Sequence, residues 1–160
     1  MVYDERIVEP MREELTRLGV EEARTADAVD AVLGEKKGTV LLLTFGTGIG
    51  SALFNNGVLF PNAELGHIPW RGKPFERYAA ASVRKRARLD WPDWAKRVNV
   101  YLAVVERLFS PSLIIVGGGV SKKADKFLPF IRAKARVVPA RLHNDAGIVG
   151  AALAWQQEVR

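Results

Sequence analysis

The stretch GTVLLLTFGTGIGSALFNNGVLF, Gly38 to Phe60, sets apolar runs against turn residues in an order that few folds accommodate. Thr39 to Leu43 is a five-residue strand-like run, and TFGTGIGS, Thr44 to Ser51, follows it directly. Glycines at 46, 48 and 50 can take positive φ and carry no β-carbon, so successive N–H groups can turn toward one anion. Thr47 can add its hydroxyl. The loop is neither a Walker A loop nor a dinucleotide fingerprint, because no GxxxxGKS/T occurs and no glycine stands three residues after Gly50. After Gly50 come SALF, then Asn55-Asn56-Gly57, then VLF, and an Asn-Gly pair between apolar stretches is the strongest short hairpin signal. A strand where a nucleotide-binding βαβ unit needs a helix predicts a phosphate-binding turn inside an antiparallel ribbon. A glycine turn without a ligand is the other reading of the same residues.

On either side of this ribbon the chain reads as helices and short strands. Residues 4–19 place Ile7, Met11, Leu15 and Leu18 on one helix face, and a second helical stretch, residues 21–33, ends at Gly34. Strands are expected near 39–45, 51–55 and 58–60, then a structured loop over 61–74 containing Glu64, His67 and Trp70. Helical patterning returns at 75–88 and again after Asp90, a suitable N-cap with Pro92 in the first turn. On that second helix Trp94, Val98, Tyr101, Leu102, Val105, Leu108 and Phe109 recur at three- and four-residue steps and form a core face. SLIIV, residues 112–116, is a fully buried strand. GGGVS, residues 117–121, opens a helix running on through Phe127, Leu128 and Ile131, and a strand over 135–139 precedes a last helix, 146–158.

Three antiparallel strands followed by strand-helix crossovers predict an α/β, ribonuclease H-like domain: a mixed sheet flanked by helices, with ligand loops at one sheet end. Two such domains face each other in the actin and sugar-kinase clamp; 160 residues leave room for one. The expected division is a helical N-terminal segment, 1–38, and the domain proper, 39–160.

Charge divides at the same place. Residues 1–38 carry 10 acidic and 6 basic side chains, the remaining 122 carry 8 acidic and 18 basic, and the formal total is +6. The basic portion suits a polyanion such as a nucleotide or polyphosphate, or a solvated surface. The run Arg84-Lys85-Arg86-Ala87-Arg88 has no interleaved aromatic and no recognition motif beside it, so it reads as a solvated helix face rather than a nucleic-acid patch. No apolar run reaches the length of a membrane span and the N-terminus is not a signal peptide, which predicts a cytoplasmic protein with no membrane partner. There is no cysteine, so disulfides and thiolate zinc sites are excluded.

TVLLLTFGTGIGSALFNNG, NAELGH, IIVGGGVSKKADKFLP and NDAGIVGAALA, in this order, closely resemble the C-terminal half of the ROK family of sugar kinases, specifically its polyphosphate glucokinase branch. The resemblance runs from Gly38 to Trp155. It implies phosphoryl transfer from polyphosphate or ATP to glucose, with Mg²⁺ entering on the donor, and a homodimer. Gly46, Thr47, Gly48 and Gly50 would form a phosphate motif. Glu64 and His67, a carboxylate acceptor and an imidazole three apart, would hold glucose hydroxyls. Glu76 would be a further sugar contact, or alternatively a helix-start carboxylate. Gly117, Gly118 and Gly119 would form the adenosine motif, with Lys122, Lys123 and Lys126 beside a helix N-terminus for the nucleotide or polyphosphate; close strand-to-helix packing is the structural alternative.

The chain departs from the family in two places. It has no DxGGTxxK-type first phosphate loop, and if RTADAVDAV, residues 24–32, is the counterpart of the family's NDADAAG stretch, Thr25 stands where the general-base aspartate belongs. Threonine cannot serve as that base, and Asp27, two places on, lacks the preceding Asn. The chain alone is therefore expected to be a weak or inactive kinase, with no catalytic residue of its own and no metal-binding side chains. A non-catalytic sugar-binding domain of the ROK-regulator kind and an inert fragment are the competing readings.

Overall fold

The computed structural model describes residues 38–56, 58–60 and 62–140. The helices expected over 4–19, 21–33 and 146–158 lie outside them. The described elements are β1 (Thr39–Phe45), β2 (Ile49–Asn55) and β3 (Val58–Phe60), a 3-10 turn (Leu65–His67), and a small ribbon of β4 (Pro69–Trp70) and β5 (Lys73–Pro74). Helices α1 (Glu76–Ala79), α2 (Ala81–Arg86) and α3 (Trp91–Phe109) follow, then β6 (Leu113–Gly117). A 3-10 turn (Ser121–Lys123), α4 (Ala124–Phe127), another 3-10 turn (Leu128–Phe130) and β7 (Arg136–Pro139) complete the order.

The five-stranded sheet runs β3-β2-β1-β6-β7. β1 pairs antiparallel with β2 from Thr39 opposite Asn55 to Phe45 opposite Ile49, and β2 pairs antiparallel with β3. Asn56 takes φ 50 at the hairpin, where its side-chain oxygen accepts from the Gly38 amide at 2.8 Å. β6 lies parallel to β1, and β7 parallel to β6. An antiparallel meander continued by parallel strands is the ribonuclease H-like layout expected from the sequence.

The two central strands are apolar because both faces are covered. Leu41, Leu43, Phe45, Ile114 and Val116 point to one side, into a core shared with α3. Val40, Leu42, Leu113, Ile115 and Ala140 form a smaller cluster on the other. This is the period-two alternation of strand side chains.

α3 starts where expected: Asp90 Oδ1 accepts from the Asp93 amide at 2.7 Å, with Pro92 in the first turn. The helix ends on Ser110, at φ 45, ahead of Pro111. Trp94, Ala95, Val98, Tyr101, Leu102 and Val105 are its buried face. Leu108, expected in that face, is instead 60% exposed, while Phe109 in the same turn packs against the core.

Three other expectations change. Residues 61–74 are not an irregular loop throughout; they hold a 3-10 turn and the β4–β5 ribbon, whose Arg71 and Gly72 have φ 50 and 77, the signs of a primed hairpin turn. The helix expected over 75–88 breaks at Ala80, which is extended at ψ 157, and this lets the Ser82 amide donate to the Gly46 carbonyl at 3.0 Å. The helix expected after Gly119 is split into a 3-10 turn, one α-turn and a second 3-10 turn, with Pro129, which has no N–H, inside the last.

Tyr101 provides a test of the core. Its ring is buried against Phe45 and Phe75, and its hydroxyl has no hydrogen-bond partner among the described residues. Burial holds the phenol well above its ordinary ionisation range. Tyr101→Phe removes an unsatisfied buried donor and is expected to stabilise the domain by about 1 kcal/mol at neutral pH. Because the folded-state value is raised, the wild type keeps its full stability below about pH 10 and loses it as pH climbs from there toward the folded value. Urea midpoints measured across that alkaline range should fall for the wild type and fall less steeply for Tyr101→Phe.

Candidate phosphate and sugar site

The Gly46–Gly50 turn sits at the carboxyl end of β1, beside the carboxyl end of parallel β6, the position where open α/β sheets bind ligands. Thr44 stands opposite Gly117 in that pairing. A cavity of about 310 Å³ opens there, lined by Thr44, Gly46, Thr47, Gly48, Ile49, Gly50, Glu76 and Gly118. Sequence motifs some seventy residues apart are thus joined: the first glycine turn, one residue of GGG and the glutamate of α1.

The glycines act differently from the expectation. None of Gly46, Gly48 and Gly50 has positive φ. Their value is space. A β-carbon at Gly48 would stand 2.2 Å from Glu76 Oε2, and one at Gly50 would stand 2.6 Å from Thr44 Oγ1. Gly118 does take the left-handed region, at φ 77, and a β-carbon there would press on the Phe45 backbone at 3.0 Å.

Nor do all the amides of the turn face one anion. Gly46 N–H donates to the Gly48 carbonyl at 3.0 Å, and Ile49 N–H donates to Glu76 Oε2 at 3.3 Å. Thr47 and Gly48 N–H have no protein acceptor among the described residues. The turn is braced from α2, where Ser82 Oγ donates to the Thr47 carbonyl at 2.7 Å.

Glu64 precedes the 3-10 turn Leu65–His67 and His67 closes it, and both residues are exposed. They do not line the cavity. The loop is nevertheless tied to the ribbon beside it: Ser51 Oγ accepts from the Leu65 amide at 2.8 Å and also bonds the Ala63 carbonyl. Gly66 lies so close to β2 that a β-carbon would be 2.2 Å from the Ile49 carbonyl oxygen. Ser51 and Ser82 were missed by sequence reasoning, since isolated serines carry no spacing signal.

Of the second glycine motif, only Gly118 reaches the cavity; Gly117 and Gly119 do not, and Lys122 is exposed on the 3-10 turn behind them. α4 has four residues, too few to build the macrodipole expected at that position. Ser121, buried, caps the turn by donating from both its amide and its hydroxyl to the Gly118 carbonyl, at 3.0 and 2.8 Å. Among the described residues, no group of three or more His, Asp or Glu could hold a metal ion. Arg84 leaves the expected solvated face to lie over Trp91 at 3.9 Å, while Lys85, Arg86 and Arg88 are exposed.

The core behind the site is aromatic. Phe45, the residue before Gly46, meets Trp94 edge-on at 5.7 Å and Tyr101 at 6.1 Å between ring centroids. Phe75, the residue before Glu76, meets the same Tyr101 at 5.1 Å.

Compared with known proteins, the chain is 52% identical over 117 residues to the polyphosphate glucokinase of Mycobacterium tuberculosis (strain CDC 1551 / Oshkosh), covering 73% of this chain and 44% of that protein. Its structure superimposes with a TM-score of 0.73 on the inorganic polyphosphate/ATP-glucomannokinase from Arthrobacter sp. strain KM, at 48% identity over 82% of this chain and 55% of that one. In sequence and in fold the matched residues are of the ROK type, similar to these sugar kinases. The matched portion of the chain spans about half the length of these relatives.

A second match begins in the N-terminal segment and runs on through β1 into the glycine turn. A family model described as Disulphide isomerase matches residues 3–50, and a bacilliredoxin of Salinibacter ruber (strain DSM 13855 / M31) is 47% identical over 55 residues, 34% of this chain and 32% of that protein. Thiol–disulfide exchange requires a thiolate, and this chain has no cysteine with which to perform it. Thr25 and Asp27 fall within that match and outside the described residues. Among the described residues no helix is long and apolar enough to cross a membrane.

Proposed function

We propose that residues 39–160 are the phosphate- and sugar-binding half of a glucokinase-type phosphotransferase, acting between polyphosphate or ATP and glucose. The observation that carries this reading is the cavity at the carboxyl ends of β1 and β6, where the Thr47 and Gly48 amides, without a protein acceptor among the described residues, meet Gly118 and Glu76. Phosphoryl transfer asks a protein mainly for positioning and for donors aimed at developing charge, and backbone amides at a strand end meet that need. Glu64 and His67, exposed and held beside Ile49 by Gly66 and Ser51, are the groups to grip sugar hydroxyls at the rim.

Magnesium fits as an ion borne by the donor's phosphates, since a single carboxylate in the cavity is too sparse a set for a protein cage. When bound, it would neutralise phosphate charge. The homodimer and the cytoplasmic setting implied by the resemblance belong to the same reading.

The described cavity holds no general base for the sugar hydroxyl; its one titratable side chain is already bonded to the turn. If residues 24–32 are the counterpart of the family's base-bearing stretch, Thr25 stands in the place of that base, which supports taking it as missing from this chain. Loss of a positioned base typically costs roughly 10²–10⁴ in rate. The purified chain, assayed for glucose 6-phosphate with ATP and with polyphosphate, is therefore expected to turn over at no more than a small fraction of a full-length kinase, while glucose still raises its thermal midpoint. Turnover matching a complete kinase would overturn the first expectation, and an unmoved midpoint the second.

A further inference from the structure

The cavity read above as a phosphate site contains a charge of the wrong sign. Its only charged lining residue among those described is Glu76, and no cation among the described residues lies within ion-pair distance of that carboxylate. Glu76 is not merely nearby. Oε2 accepts from the Ile49 amide, and the carboxylate lies against the Cα of Gly48, in the space a β-carbon would take. An anion held by a backbone N–H of the turn, in a gap kept open by a glycine, is what a bound phosphoryl oxygen would look like there.

We propose that Glu76 is the cradle's internal anion: its carboxylate fills the position of a phosphoryl oxygen, and an external anion enters only when that carboxylate is drawn away. This rests on reading the turn as the phosphate site. The agent that draws it away is a neutral polyol, the other ligand class the rim can hold, because hydroxyl donors can replace the Ile49 amide as partners of the carboxylate at no cost in charge. Sugar and anion are then coupled through one side chain. The sugar binds first, the turn is vacated, and the donor is admitted only when an acceptor is already present. By linkage the anion favours the sugar to the same factor. Gly48 is part of the device, since any side chain at that position would displace the carboxylate.

The test is calorimetric titration of the full chain with magnesium-free tripolyphosphate, for the wild type and Glu76→Gln, each with and without saturating glucose. Glutamine keeps an oxygen for the Ile49 amide but no charge. Glu76→Gln is expected to bind tripolyphosphate at least tenfold more tightly than the wild type. Glucose should tighten wild-type binding several-fold and leave Glu76→Gln unchanged. Equal or weaker binding by Glu76→Gln overturns the proposal, as does a wild type indifferent to glucose. Binding by neither protein, with both folded by circular dichroism, would bring down the phosphate-site reading as well, so the two failures are told apart. Glu76→Asp, whose shorter arm withdraws the carboxylate from the turn, serves if Glu76→Gln does not fold; it too should bind more tightly than the wild type, and equal or weaker binding overturns the proposal.

Discussion

Trp94→Ala should lower the urea midpoint further than any other single truncation in the core. The indole is fully buried and touches Phe45, Trp91 and Phe127 at ring separations of 5.7, 5.8 and 5.2 Å, so it joins the end of β1 to both ends of the helical layer. Its Nε1–H also donates to the Ala79 carbonyl at 2.9 Å, satisfying the C-terminus of α1. Removing a buried aromatic ring costs about 3–5 kcal/mol. The orphaned carbonyl adds about 1–3 kcal/mol. Against a total of about 5–15 kcal/mol for a typical domain, that is a large fraction and, at the low end, all of it. Trp94→Phe separates the two contributions: it keeps most of the packing, loses the hydrogen bond, and should fall between wild type and alanine.

The second large effect concerns the sugar loop. At Gly66 a β-carbon would meet a backbone oxygen, that of Ile49, at 2.2 Å, and a backbone atom cannot swing aside as the tip of a side chain can. In Gly66→Ala the 3-10 turn must lift from β2, straining the Ser51 bond to the Leu65 amide. Overpacking of this kind costs about 1–3 kcal/mol, which the domain survives. The displacement matters more for ligand, because Glu64 and His67 are carried on the turn that moves. Gly66→Ala is thus expected to lower the melting temperature by a few degrees and to abolish the rise that glucose produces in the wild type. A variant that melts early yet responds to glucose as before would show that the loop does not hold the sugar.

The meander was legible because its signals are local. Asn56-Gly57, the alternating apolar runs and the all-apolar LIIV segment each fix an element without reference to the rest. Asp90 and Pro92 marked the start of α3 for the same reason. What could not be read was set by contacts between distant residues. Ala80 breaks a helix whose periodicity is unbroken in sequence, because the Ser82 amide is needed at Gly46. Gly46, Gly48 and Gly50 suggested a left-handed backbone, but it is the approach of Glu76 and Thr44 that excludes side chains at two of them. Of the cavity's glycines, Gly118 is the one that uses positive φ. Glu76 was found as a site residue by resemblance, whereas its partner, the Ile49 amide, belongs to a residue with no polar side chain and gave no signal at all.

Tyr101 touches both Phe45 and Phe75, the residues immediately ahead of the glycine turn and of Glu76. One ring in the hydrophobic interior therefore sets the spacing between a loop and a side chain that meet at the surface. Warming cannot slacken that loop on its own, as it can a lid hinged on solvent-exposed residues. Ligand affinity should hold nearly constant up to the cooperative transition and then vanish with it, so heat inactivation and global melting would trace a single curve.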